Sequence, residues 1–155
     1  MKETANSPVA QTETAETAIA QQPASTRILA LTDFSHRSRA AVEYAVQLAK
    51  SMHARLTLLH VLPPSSDFDY TMGGLEAAKK LAEETACIKA NYGEVDSTFR
   101  TGLDIHDEII SVAREIVADL LVVSTHGDTG WKHFLFGSEA AKIARDSPCP
   151  VLVVR

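Results

Sequence analysis

Short apolar runs alternating with amphipathic stretches predict an α/β chain: one doubly wound domain, with a five-stranded parallel sheet of order 3-2-1-4-5 and two helices on each face. Three observations carry that expectation. Ile28-Leu29-Ala30-Leu31, Leu56 to Val61, Leu120 to Val123 and Val151 to Val154 are continuous apolar runs, the pattern of strands buried on both faces. The segments between them repeat apolar residues at helical spacing. Right-handed crossovers between parallel strands then place helices on both sides of the sheet.

The 155 residues suit one domain with an ordinary core. Hydrophobic residues make up 45% and charged residues 23%, and a net charge of −5 gives no electrostatic reason to expect nucleic acid or an anionic membrane as partner. Cys87 and Cys149 are far apart and form no C-x-x-C, so neither a disulfide framework nor a zinc site is expected, and the cytoplasm fits best. No apolar run is long enough to cross a bilayer. Residues 1–26 carry almost no large apolar side chain and read as a disordered tail ahead of a domain over 27–155.

The first strand, Ile28 to Leu31, closes at Thr32-Asp33-Phe34-Ser35. Ser35 or Ser38 caps a first helix over roughly Ser38 to Met52, with Ala41, Ala45, Leu48 and Met52 on its apolar face. Leu56 to Val61 is the second strand, stopped by Pro63-Pro64, and Ser65 to Gly74 reads as a loop. The second helix covers 75–90 with Leu75, Ala78, Leu81, Thr85 and Ile88 inward and Glu76, Lys79, Lys80, Glu83 and Glu84 in solvent. Val95 to Arg100 alternates weakly, as an edge strand does. Asp104 caps the third helix, whose stripe is Ile105, Ile109, Val112 and Ile116. The fourth strand ends at Ser124, a short helix runs from Ser138 to about Arg145, and Val151 to Val154 closes the sheet.

In such a sheet a ligand sits beyond the carboxyl ends of the strands where the order reverses. With the first and fourth strands adjacent, Asp33 faces the segment from Ser124 to Ser138. Nine residues separate Gly127 from Gly137, and Gly137-Ser138 opens a helix whose free N–H groups can hold phosphate oxygens without a lysine. Asp33 suits hydrogen bonds from a ribose or an adenine amine, and a capping role for the first helix explains it equally simply. Val61 could flank a base or simply be core. His60 at a strand end reads as a hydrogen-bonded structural residue. Trp131, Phe134, Leu135 and Phe136 read as an anchor for the segment that contains them.

These pieces together resemble the universal stress protein family over residues 27–155: Ile28 to Ser35, Leu58-Leu59-His60-Val61, Ser124-Thr125-His126-Gly127 with nine residues to Gly137-Ser138, and Cys149-Pro150-Val151-Leu152-Val153-Val154. The nucleotide-binding branch carries Gly-x2-Gly-x9-Gly-Ser/Thr, binds ATP or related adenine nucleotides, and generally pairs through its last strands. The resemblance implies a homodimeric stress-response module that binds ATP or AMP, with Mg2+ as an accompanying ion. It places Asp33 and Val61 at the adenosine, Gly127, Gly137 and Ser138 at the phosphates, and Thr32, Val123 and Glu139 along the pocket by their backbone.

Ser124 stands where the motif's first glycine belongs, and Asp128 follows Gly127. These departures motivate the alternative, a dimer of the same fold that binds no nucleotide and works through protein partners. No Walker-type G-x-x-x-x-G-K-[ST] occurs, so no catalytic residue is assigned and ATP hydrolysis is expected to be slow at most. No metal ligands are assigned either.

Overall fold

The computed structural model describes residues 25–63, 70–125 and 138–155. Five strands and four helices alternate: β1 Arg27–Leu31, α1 His36–Met52, β2 Arg55–Leu62, α2 Tyr70–Asn91, β3 Val95–Thr101, α3 Ile105–Glu115, β4 Leu120–Ser124, α4 Ser138–Asp146 and β5 Val151–Val154. The strands form one parallel sheet in the order β3-β2-β1-β4-β5. This is the expected topology.

Alternation along the strands divides the core into two layers. Ile28, Ala30, Leu56, Leu58 and Val122 point to the side covered by α1 and α2, where they meet Ala41, Val42, Ala45, Ala49 and Leu81. Leu29, Leu31, Leu59, Val61, Leu121 and Val123 point to the other side, against Ile109, Val112 and Ala113 of α3 and Ile143 of α4. Continuous apolar strands are thereby explained, because each successive residue finds its own helix layer. At the edge, β3 is buried at Val95 and exposed at Asp96 and Ser97, as its weak alternation foretold.

Capping follows the sequence closely. Ser35 is the N-cap of α1, its hydroxyl accepting from Ser38 N at 3.1 Å. Asp104 caps α3 by accepting from His106 N at 2.8 Å. His53 ends α1 in a left-handed conformation, φ 50°, and its N–H reaches back to Ala49 O and Lys50 O.

Three helix expectations need correction. α2 begins at Tyr70, so Gly73 and Gly74 belong to a helix and not to the loop inferred from them. Glycine costs a helix about 1 kcal/mol against alanine, and the run Leu75 to Leu81 of strong helix formers outweighs it. Leu75 is 66% exposed and not inward. The buried line of α2 runs through Ala77 and Leu81, and Leu75 stands about 200° around the helix from Ala77. Met52 is likewise outward, 47% exposed, because the last buried turn of α1 ends at Ala49.

Candidate functional site

The site begins where β1 runs out of sheet partners. Thr32 N still donates to Leu59 O at 2.9 Å, and then the chain bends through Asp33 and Phe34 into α1. Phe34 has φ 63°, a left-handed backbone that an aromatic side chain seldom adopts. Its ring stacks on His60 with centroids 4.4 Å apart, and its N–H donates to Thr32 Oγ1 at 3.2 Å. Those contacts offset the strain and fix the direction in which the preceding residue points.

That residue is Asp33, 7% exposed. Its N–H donates to Ser38 Oγ at 3.3 Å, and its Oδ1 accepts from Ser35 N at 3.0 Å. Its other oxygen, Oδ2, is buried and has no hydrogen-bond partner among the described residues. The two readings of Asp33 therefore divide between its two oxygens. Oδ1 steadies the approach to α1, whose cap is Ser35, while Oδ2 is left over. A buried acceptor without a partner is costly in a folded protein, and among the described residues Oδ2 is the buried side-chain oxygen at this edge still able to accept a hydrogen bond.

Two residues brace this corner from the neighbouring elements. His60 Nδ1 lies 2.7 Å from Thr32 O, and since a carbonyl only accepts, Nδ1 carries the proton. Burial lowers the His60 pKa, opposed by the bond to Thr32 and by the charge of Asp33, so the ring is neutral. The structural role expected for His60 is observed. On α2, Glu84 Oε2 accepts from Thr32 Oγ1 at 3.1 Å. Burial raises the Glu84 pKa, opposed by the Thr32 bond and the Arg39 charge, while Asp33 adds to the rise. Glu84 was expected on the solvated face; it is half-buried, because α2 lays its Glu84 turn over the end of β1.

The other residues singled out from the sequence fall along the same edge. Ala30 of β1 lies opposite Val122 of β4, so Thr32 and Ser124 each stand two residues beyond that pair. Val61 is two residues past Leu59, the partner of Leu31, and is fully buried in the α3/α4 layer beside Val123. Ser138 and Glu139 begin α4. As the crossover between parallel β4 and β5, α4 starts on the carboxyl side of the sheet, where its first N–H groups are free of helical partners. Gly127 and Gly137, together with Asp128, Trp131, Lys132 and His133, lie outside the described residues.

Away from this edge, Asp104, His106 and Asp107 bring ligand-type atoms within 4.8 Å of one another. Asp104 is already the α3 cap, and His106 Nδ1 faces Asp107 at 3.1 Å.

A doubly wound domain with a carboxylate held open at the β1–β4 switch point belongs among the α/β folds that carry their site at the carboxyl edge of the sheet. The model of the universal stress protein family matches residues 25–155, and the chain belongs to that family. A Staphylococcus aureus (strain USA300) protein named for the same family is 35% identical over 137 residues, covering 83% of this chain and 82% of that one. Among solved structures, a universal stress protein in complex with cAMP superposes with a TM-score of 0.66 at 27% identity, over 84% of this chain and 97% of that one. A universal stress protein from Archaeoglobus fulgidus in complex with dAMP superposes with a TM-score of 0.64 over 84% and 98% of the two chains; at 19% identity that likeness speaks to the fold alone.

Proposed function

We propose that this chain is an adenine-nucleotide-binding module that works in the cytoplasm as a homodimer in the response to stress. One observation carries the reading: Asp33 Oδ2, buried at the switch point and unpaired among the described residues, is an acceptor suited to a ribose hydroxyl or an adenine amine. The family relative solved with cAMP supports the same ligand class. In this reading Asp33 and Val61 hold the adenosine end. Gly127, Gly137 and Ser138 take the phosphates through main-chain N–H groups, and Thr32, Val123, Ser124 and Glu139 line the pocket. ATP or AMP is the ligand, with Mg2+ beside the phosphates when ATP is bound. The domain spans 27–155, residues 1–26 form a tail outside it, and any hydrolysis is slow, because the sequence carries no Walker-type G-x-x-x-x-G-K-[ST].

The dimer uses β5. That strand pairs with β4 alone among the described residues, and Val153 on it is 41% exposed, so an apolar edge is left for a second copy. Mass spectrometry of small molecules released from freshly purified protein, with calorimetry of ATP and AMP, tests the proposal. Retained nucleotide and a binding heat abolished by Gly137→Val are expected. No nucleotide and no heat with either ligand would favour the partner-only dimer suggested by Ser124 and Asp128.

A further inference from the structure

The two helices on the first face of the sheet do not close over it. α1 packs on β1 and β4, α2 packs on β3 and β2, and between them lies a groove of about 880 Å³. Phe34, Val42, Val46 and Ile88 supply its apolar surface. That volume is within the range of small-molecule sites, which join an apolar lining to a few fixed polar groups. Glu84 is the polar group set deepest here. Two other acids, Glu43 and Glu83, are exposed at the mouth, and Glu83 already pairs with Lys79. Glu84 uses Oε2 for Thr32, and its Oε1 has no hydrogen-bond partner among the described residues. Lys80, the cation on the same wall, is held by Glu76 at 2.7 Å.

We propose that the α1–α2 groove is a second small-molecule site, distinct from the adenylate crevice, for an organic cation with an apolar, aromatic body. The ammonium group donates to Glu84 Oε1 and adds a hydrogen-bonded cation where Arg39 acts on the carboxylate through its charge alone. The body lies along Val42, Val46 and Ile88 and reaches Phe34, whose ring is already stacked on His60, with Phe99 on a centroid 5.8 Å from His60. A neutral ligand of the same shape gains the apolar contact only. An anion meets the carboxylate and is rejected, although Arg39 and Lys50 on the α1 rim would attract it from a distance.

The test uses the isotope-labelled full chain without nucleotide, titrated with 2-phenylethylamine and, separately, with 2-phenylethanol. Saturable shifts are expected at the amides of Val42, Val46 and Ile88, with the amine binding roughly tenfold more tightly than the alcohol. Glu84→Gln, which keeps an acceptor for Thr32, should remove that preference and leave the alcohol's affinity unchanged. Val46→Trp, which fills the groove from the opposite wall, should abolish both. Reaction of Cys87, exposed on the α2 wall, with a thiol reagent should slow when the amine is bound. Equal affinity for amine and alcohol, an amine preference that survives Glu84→Gln, or shifts that fail to saturate would each overturn the proposal. Because no adenylate is present, these outcomes are independent of the crevice at β1 and β4.

Discussion

Asp33→Asn separates a binding residue from a structural one. Asparagine keeps the oxygen that accepts from Ser35 N, the bond now made at 3.0 Å, and replaces the unpaired oxygen by a donor. In the free protein a buried carboxylate with one unsatisfied oxygen gives way to a neutral amide whose NH2 is unsatisfied, so folding stability should move by no more than about 1 kcal/mol. In the complex the change removes a charge-assisted acceptor from the adenosine, a loss of about 1.5–3 kcal/mol, or roughly tenfold to a hundredfold in Kd. Calorimetry with AMP measures the second quantity and urea denaturation the first. A binding role for Asp33 fails if AMP binds the variant as tightly as the parent. It fails equally if binding and more than about 2 kcal/mol of stability are lost together, since Asp33 would then be a bracket for α1 and nothing more.

Glu84 gives a pH signature. Its folded pKa is raised, so the native state holds a proton that the unfolded chain has released once the pH passes the ordinary value of 4.5. Stability from this group is complete below that value and is lost as the pH rises through the folded pKa. Glu84→Gln should therefore melt at or above the parent's temperature at pH 7, with the gap narrowing toward pH 4.5; a gap that widens on acidification would contradict the assignment. His60 has the opposite sign: its folded pKa is lowered, so its contribution is present above 6.5 and is lost as the pH falls through the depressed value. Nitrogen NMR should show His60 neutral with the proton on Nδ1 at pH 6.5; a charged ring there would refute the lowering by burial, and a neutral ring protonated on Nε2 would refute the bond to Thr32. Ile143, fully buried between α4 and the sheet, should cost about 2–5 kcal/mol on truncation to alanine by urea denaturation. Val153→Asp should shift the protein from dimer to monomer in sedimentation, and an unchanged dimer would move the interface away from β5.

Much of the architecture was legible because the strands here are short and fully apolar, and the breaks between them carry hydroxyls, glycine or proline. Ile28 to Leu31 and Leu120 to Val123 can be buried on two faces only between helix layers, which already implies a wound sheet. Asp104 and Ser35 announce their helices by a local hydrogen bond that needs no tertiary information. What escaped was long-range. Glu84 belongs by composition to a solvated face and is drawn in by Thr32, 52 residues earlier in the chain. Leu75 looks inward by residue type, yet the rotation of α2 is fixed by where Ala77 and Leu81 find the sheet. Phe34 gives no sign in the sequence of its positive φ, because the ring that rewards it, His60, comes from the next strand. For the site, the residues on β1, β2 and β4 could be placed from strand ends alone.

Asp33 Oδ2 is proposed to be kept for a donor of the adenosine. A crystal structure of this protein with saturating AMP tests that directly. The expected result is a hydroxyl or amine of the adenosine about 3 Å from Oδ2, with the phosphate at the start of α4. A crevice at β1 and β4 that holds no nucleotide under those conditions, with Oδ2 paired to the protein's own side chains, would contradict it.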